Sequence, residues 1–391
     1  MKGESGDKNM DKPTNIPEKT SEELAAGDNP ADNQTEAKPK KRRKKALIIV
    51  ACVLAFLIVA AGVTFLVLYE RYKYLGQNPL SAFQSQQPEQ TPDESEVPDP
   101  TLGPDDPTPV ATPTQTPVSG QVNIMLIGLD RSDDRSEENM GARNDTNIVL
   151  SVNFDKKTAK MLAIPRDTLV TMSHLNSKGK ATYKFWSNMY TGFRNGGGEK
   201  GYGYKNIMQV TSKLLSCGNK YSVPINYYVS IDIDGIVPMC DAVGGVPVTM
   251  DANFPGPDKV LNWKKGQTVL LKGDWAQFYL RWRHSDEVGD HTGDIGRGHR
   301  QQVFLVALAK KIKEMGPVET VQKLFGEMTK YMRTNMSLEQ LVALAETLKD
   351  MDISTVDINS VDGHLGSRDG KSGWVPESKK LQKKVDEIFF N

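Results

Sequence analysis

The sequence predicts an α/β domain on a central mixed, largely antiparallel sheet, preceded by one N-terminal transmembrane helix. Three observations carry that expectation. Residues Ala46 to Tyr69 form an uncharged apolar run, short strand-like runs joined by tight turns begin at Gln121, and an amphipathic helical stretch extends from about Asp294 to Met315.

At about 1.5 Å per residue the apolar run makes a helix roughly 36 Å long, enough to cross a hydrocarbon core of about 30 Å with some tilt. It is too long and too far from Met1 to be the apolar region of a cleaved signal peptide. Lys40, Lys41, Arg42, Arg43, Lys44 and Lys45 precede it. The positive-inside rule therefore places the 1–45 tail in the cytoplasm and everything after Tyr69 outside. That tail is polar and without apolar periodicity, as in disordered segments. Beside a membrane span its basic run is a topology signal, so no nucleic-acid partner is expected.

Residues 70–120 read as an extracytoplasmic spacer rich in Pro, Thr and acidic residues from about Gln77 onward. The folded domain is expected over 121–391. Its strands begin with Val122 to Leu129, then Asn147 to Asn153 with Ile148, Leu150 and Val152 on one face, then Ala159 to Ile164. The short turn Asp155 to Thr158 makes the last two an antiparallel hairpin, so Asp145 and Arg166 become neighbours. Pro165 ends the third strand. If the first strand lies antiparallel beside the second, Asp130 reaches the same edge.

Farther on, Ile225 to Ile231, Val246 to Met250 and Gln277 to Arg283 read as strands, the last with Arg281 and Arg283 on one face. The helix from Asp294 carries Asp294, Arg297 and Gln301 on one face and Phe304, Leu305, Leu308 and Ile312 on its core side. Ser337 and Gln340 form a capping box for a helix over Leu338 to Leu348.

These elements aim Arg143, Arg166, Arg281, Arg283 and Arg297 at one edge, where guanidiniums repel unless an anion sits among them. The planar fork of Arg matches phosphate oxygens. Asp130 and Asp145 at the same edge would repel phosphate unless a hard cation bridged them, and Mg²⁺ takes one or two carboxylates plus phosphate oxygens and water. The predicted site is thus a metal-bound pyrophosphate clamp. Taken singly, Asp145 with Arg143, Asp167 with Arg166 and Asp294 with Arg297 also read as ordinary ion pairs.

Other signals carry less. Cys52 lies in the span, and a Cys217–Cys240 disulfide is possible but not demanded. The Gly196 to Gly203 run has no following Lys-Ser/Thr and reads as a flexible surface loop. Gly370, Lys371 and Ser372 lack the upstream glycine of a P-loop. His284, His291 and His299 have no metal-ligand spacing and read as surface or supporting residues.

The segments NIMLIGLDR, RNDTNIVLSVN, AIPRDT, INYYVSIDIDG, DAVGGVPV, YLRWR and GDIGRGHRQQ, in that order over about Asn123 to Leu308, resemble the LytR-CpsA-Psr family of cell-wall ligases. The resemblance implies a three-layer α-β-α fold and a groove for a polyprenyl chain. It implies transfer of a glycopolymer from an undecaprenyl-pyrophosphate carrier to peptidoglycan, with Mg²⁺ held by Asp130 and Asp145. Pyrophosphate would be held by Arg143, Arg166, Arg281, Arg283, Arg297 and Gln301. Asp145, Arg281, Arg283 and Asp294 would take part in the transfer, Asp294 either accepting the hydroxyl proton or orienting Arg297 or Arg281. The chain departs from the family where relatives carry Lys-x-Asn-x-x-Tyr; here Lys184 to Tyr190 reads KFWSNMY. Two other functions compete: hydrolysis of polyprenyl pyrophosphate at the same site with water as acceptor, and a binding module for lipid-linked glycan that would not need Asp130 and Asp145. A transcriptional role does not suit an exported domain whose short tail has no helix-turn-helix.

Overall fold

The computed structural model describes residues 70–71, 73–75, 77–84, 119–131, 141–176, 178–255, 262–282, 293–315, 323–324 and 328–391. The 1–45 tail, the expected transmembrane helix 46–69, Arg283, His284 and His291 lie outside them. Among the described residues no helix is long and apolar enough to cross a membrane.

Strands β1 (Gln121–Asp130), β2 (Arg143–Asn153) and β3 (Thr158–Ala163) form the expected antiparallel meander, with Asn153 facing Thr158 across the short turn. A separate hairpin follows, β4 (Leu169–Leu175) with β5 (Ala181–Asn188), then helix α1 (Gly203–Leu215). Strand β6 (Tyr227–Asp232) runs parallel to β1. Helices α2 (Gly273–Arg281) and α3 (Gly293–Met315) precede β7 (Met332–Thr334), α4 (Leu338–Asp350), β8 (Asp357–Ser360) and α5 (Ser378–Val385). The six-stranded sheet has the order β7-β6-β1-β2-β3-β8. Its β6–β1 and β3–β8 pairings are parallel and the others antiparallel, so it is mixed and largely antiparallel as expected.

Strand alternation sends side chains to two faces, and each face has its helices. Met125, Ile127, Leu129 and Val149 share a core with Ile207 and Val210 of α1 and Leu381 and Val385 of α5. On the other face Ile124 packs with Ala343 of α4, and Ile148 and Met161 pack with Leu305 and Val306 of α3. Helix α4 starts at the expected capping box: Ser337 Oγ accepts from Gln340 N and Gln340 Oε1 accepts from Ser337 N.

Two expectations are corrected. Gln277 to Arg283, read as a strand, is helical through Arg281. Its buried residues Ala276, Tyr279 and Leu280 fall at helical spacing, and burying that stripe against α3 and the Val246–Thr249 strand outweighs the local alternation. Arg281 therefore sits in the last turn of a helix, and its expected strand partner Arg283 lies outside the described residues. The folded body also starts before Gln121. Leu75, Ala82 and Phe83, assigned to the spacer, are buried with Val122, Ile124 and Phe154, and Arg71 pairs with Glu339 through two nitrogens at 2.8 and 3.1 Å.

The Phe83 ring lies 5.0 Å from that of Phe154, whose backbone N–H bonds Gly120 O at 2.9 Å. Phe83 and Gly120 thus both adjoin Phe154. Phe83→Ala is expected to lower stability by about 3 kcal/mol in a urea melt, the cost of emptying a buried aromatic site. A melt identical to wild type would show that 77–84 adds nothing to the core.

Cys217 and Cys240 are both free, in different core clusters. Burial pushes both thiols up to about 12, which leaves neither as a thiolate nucleophile at neutral pH.

Candidate functional site

The site forms where β1 ends, β2 begins, and α3 starts beneath them. Regular pairing would not build it. If β1 and β2 alternated without interruption, Asp145 would oppose Leu129 and point with Val149 toward α1, away from Asp130. Instead Gly128 faces Thr146 and Leu129 faces Asn144, leaving Asp145 as the extra residue of a β-bulge. Asp145 is turned toward α3, and it lines one cavity with Asp130. Asn144 keeps the α1 side, donating to Met189 O at 2.8 Å and accepting from Phe193 N at 3.0 Å. Gly128 permits the close approach, since a Cβ there would lie 2.6 Å from Thr146 Oγ1 and 2.7 Å from its Cβ.

Around the bulge the charges interdigitate. Arg166 Nη1 donates to both carboxylate oxygens of Asp145 at 3.0 Å, and Arg166 N donates to Asp294 Oδ2 at 3.0 Å. Arg297, one turn into α3, donates to Asp145 O at 2.9 Å and pairs with Asp294. Burial works against the Arg166 charge, but Asp145, Asp167 and Asp294 outweigh it and hold its pKa above the ordinary value. At Arg297 burial wins and lowers the pKa, although Asp294 and Asp145 oppose it. The Tyr190 ring lies under both Arg143 and Arg166, at 5.2 and 5.8 Å.

The cavity, of about 180 Å³, follows β1 from Leu126 to Asp130. Val229, Ile231, Met239, Leu280, Phe304 and Leu305 make its wall apolar, and Asp130, Asp145, Arg281, Arg297 and Gln301 complete the lining. An apolar chamber with charged groups at the strand end suits an amphipathic anion. Nε of Arg297 and Nε of Arg166 are buried and find no hydrogen-bond acceptor among the described residues.

Asp130, Asp145, Arg281, Arg297 and Gln301 line this cavity; Asp145, Arg166, Asp294, Arg297 and Gln301 line a second, smaller one; and Arg143 shares the Tyr190 ring with Arg166. Arg281 comes from the end of a helix, and Arg283 lies outside the described residues. The contacts of Asp294 match its orienting alternative. No group of three or more metal-ligating side chains occurs among the described residues. The two carboxylates supply hard oxygen donors and leave the rest of a Mg²⁺ shell to phosphate and water, which fits that ion. Sequence reasoning missed the Asn144 tie and the stacking role of Tyr190. The only sequence signal for Tyr190 was its place at the end of the divergent KFWSNMY segment.

A family model described as LytR_cpsA_psr matches residues 87–388. The chain is 27% identical over 277 residues to "Biofilm regulatory protein A" of Streptococcus mutans, covering 68% of this chain and 62% of that protein. It is 28% identical over 264 residues to a polyisoprenyl-teichoic acid–peptidoglycan teichoic acid transferase, TagU, of Bacillus cereus, covering 67% and 76%. Among solved structures, TagV of B. subtilis aligns with a TM-score of 0.51 at 23% identity, covering 68% of this chain and 96% of that one. The protein gbs0355 of Streptococcus agalactiae aligns with a TM-score of 0.53 at 21% identity, covering 68% and 87%. These two likenesses establish the fold.

Proposed function

The chain belongs to the LytR_cpsA_psr family, and from that premise we propose that it transfers a glycopolymer from a polyprenyl-pyrophosphate carrier to peptidoglycan. The observation that carries this reading is the apolar cavity ending in Asp130, Asp145, Arg281 and Arg297. A prenyl chain needs the apolar wall, and a pyrophosphate needs the charges. The relative TagU is named as a teichoic acid–peptidoglycan transferase, an activity of the same kind.

In the reaction an acceptor hydroxyl oxygen bonds to the glycan-bearing phosphorus. The bond from that phosphorus to the bridging oxygen breaks, polyprenyl phosphate leaves, and the hydroxyl proton is lost. Little covalent work falls to the protein; it must place the anion and spread the developing charge. Arg297 and Arg166, each braced by Asp145 and Asp294, hold their guanidiniums still, and Arg281 adds positive charge. Arg143, fixed over Tyr190, and Gln301, which donates to Leu280 O at 3.3 Å, are placed to contact the anion's flanks. Asp130 and Asp145 would hold Mg²⁺, which would supply charge neutralisation at the phosphates. Arg283 remains a proposed member of the clamp. The 46–69 span would anchor the chain with its N-terminus in the cytoplasm, leaving the domain at the outer surface, where lipid-linked glycan and peptidoglycan meet.

The test uses the full chain in lipid nanodiscs with a short polyprenyl-pyrophosphate glycan and peptidoglycan oligomers. Mass spectrometry is expected to find a phosphodiester conjugate with Mg²⁺ and none with EDTA. Polyprenyl phosphate released without conjugate would make the protein a hydrolase. Retained lipid without turnover would make it a binding module.

A further inference from the structure

The glycine-rich run 196–203 is not the loose loop its composition suggests. Tyr202 N bonds Gly196 O at 2.6 Å and Gly203 N bonds Gly198 O at 3.0 Å. A Cβ at Gly196 would lie 2.7 Å from Tyr202 O, and one at Gly203 would lie 2.7 Å from Gly198 O. Its glycines serve tight winding, and the winding presents one acid, Glu199, to two arginines.

One of those arginines lies on an edge strand of the central sheet and the other directly follows its β1 strand. Arg333 on β7 donates through Nε to Glu199 Oε1 at 2.8 Å, and Arg131 donates through Nη1 to Glu199 Oε2. Arg131 follows Asp130 directly. Its Nη2 donates to Tyr204 OH at 2.9 Å, its Nε pairs with Asp232 at 3.0 Å, and its guanidinium lies 5.4 Å from the Phe193 ring. Partners from the loop, α1, β6 and the turn before the loop therefore fix one guanidinium. Successive side chains of a strand end point to opposite sides, so fixing Arg131 on the α1 side sets the rotation that turns Asp130 toward α3 and the cavity.

We propose that Glu199 is a positioning residue that holds Asp130 in metal-binding geometry through Arg131. The inference rests on the reading of Asp130 and Asp145 as the metal ligands. The Asn144 bonds to Met189 and Phe193 tie the neighbouring bulge to the same 189–204 segment, so both carboxylates are braced from the far side of the sheet. Groups that orient a metal ligand typically change metal affinity by about 10- to 100-fold when lost.

The test measures Mn²⁺ binding to the full-length protein by electron paramagnetic resonance, alongside thermal melts. Glu199→Gln keeps the size of the side chain and removes its charge. It is expected to weaken Mn²⁺ binding about tenfold while moving the melt little, because exposed ion pairs contribute only about 0.2–1 kcal/mol. Tyr204→Phe, which removes one acceptor for Arg131, should shift affinity in the same direction by less, and it carries the test if Glu199→Gln fails to fold. Wild-type affinity in both variants would overturn the proposal and leave Glu199 a surface ion pair. Asp130→Asn separates the premise from the inference. If it binds Mn²⁺ as wild type does, the metal reading fails and the positioning role falls with it. If it loses Mn²⁺ while Glu199→Gln does not, the inference alone fails.

Discussion

Arg297→Ala is expected to lower transfer by about 10²–10³-fold, the usual cost of one preorganised donor at a site of developing charge. It should also lower stability by about 3–5 kcal/mol, as when one partner of a buried ion pair is removed. The Arg297 side chain is 4% exposed and sits between Asp294 and Asp145. Its removal leaves two largely buried carboxylates, which Arg166 also pairs with, short of one cation. Arg297→Lys separates the two losses. An ammonium restores charge and has three donors, yet they radiate from one atom and cannot span Asp294, the Asp145 carbonyl and a phosphate oxygen as the planar fork does. Urea melts and turnover measured in parallel should show most of the stability recovered and little of the activity. Full recovery of both with lysine would mean that the planar fork is not used.

Gly128→Ala is the second large effect, and it touches no charged group. The added methyl lies in the position occupied by the Thr146 side chain, at 2.6–2.7 Å from two of its atoms. Overpacking of this kind costs about 1–3 kcal/mol, and relief by moving β2 would displace Asp145, whose direction depends on the bulge between Gly128 and Leu129. A loss of transfer larger than the loss of stability explains at assay temperature is expected. Gly128→Ala with Thr146→Gly should regain activity, because the nearest remaining atom is Thr146 N at 3.7 Å, ordinary contact. A double variant as inactive as the single one would refute the steric account.

Some of this was readable because it is encoded by neighbours in sequence. The turn between β2 and β3 is short, which forced an antiparallel hairpin and brought Asp145 against Arg166. The i, i+3 spacing of Asp294 and Arg297 on a helix gave their pairing, and Ser337 with Gln340 gave the start of α4. Elsewhere the local signal was ambiguous. Residues 277–281 alternate like a strand and also space Ala276, Tyr279 and Leu280 like a helix. Packing against another element decided between the two.

By itself the sequence determined the meander, the helix carrying Asp294 and Arg297, and which residue types gather at one sheet edge, since turn length and apolar period act over a few residues. Only the tertiary structure decided that Asp145 lines one cavity with Asp130, that Leu75, Ala82 and Phe83 belong to the core, and that Glu199 pairs with Arg131. A bulge exists only against a partner strand, as at Gly128 and Thr146. Phe83 is buried only where Phe154 and Tyr227 are already in place. Glu199 finds its two arginines only after strands far apart in sequence have become neighbours, a condition set by long-range packing and invisible to local pattern.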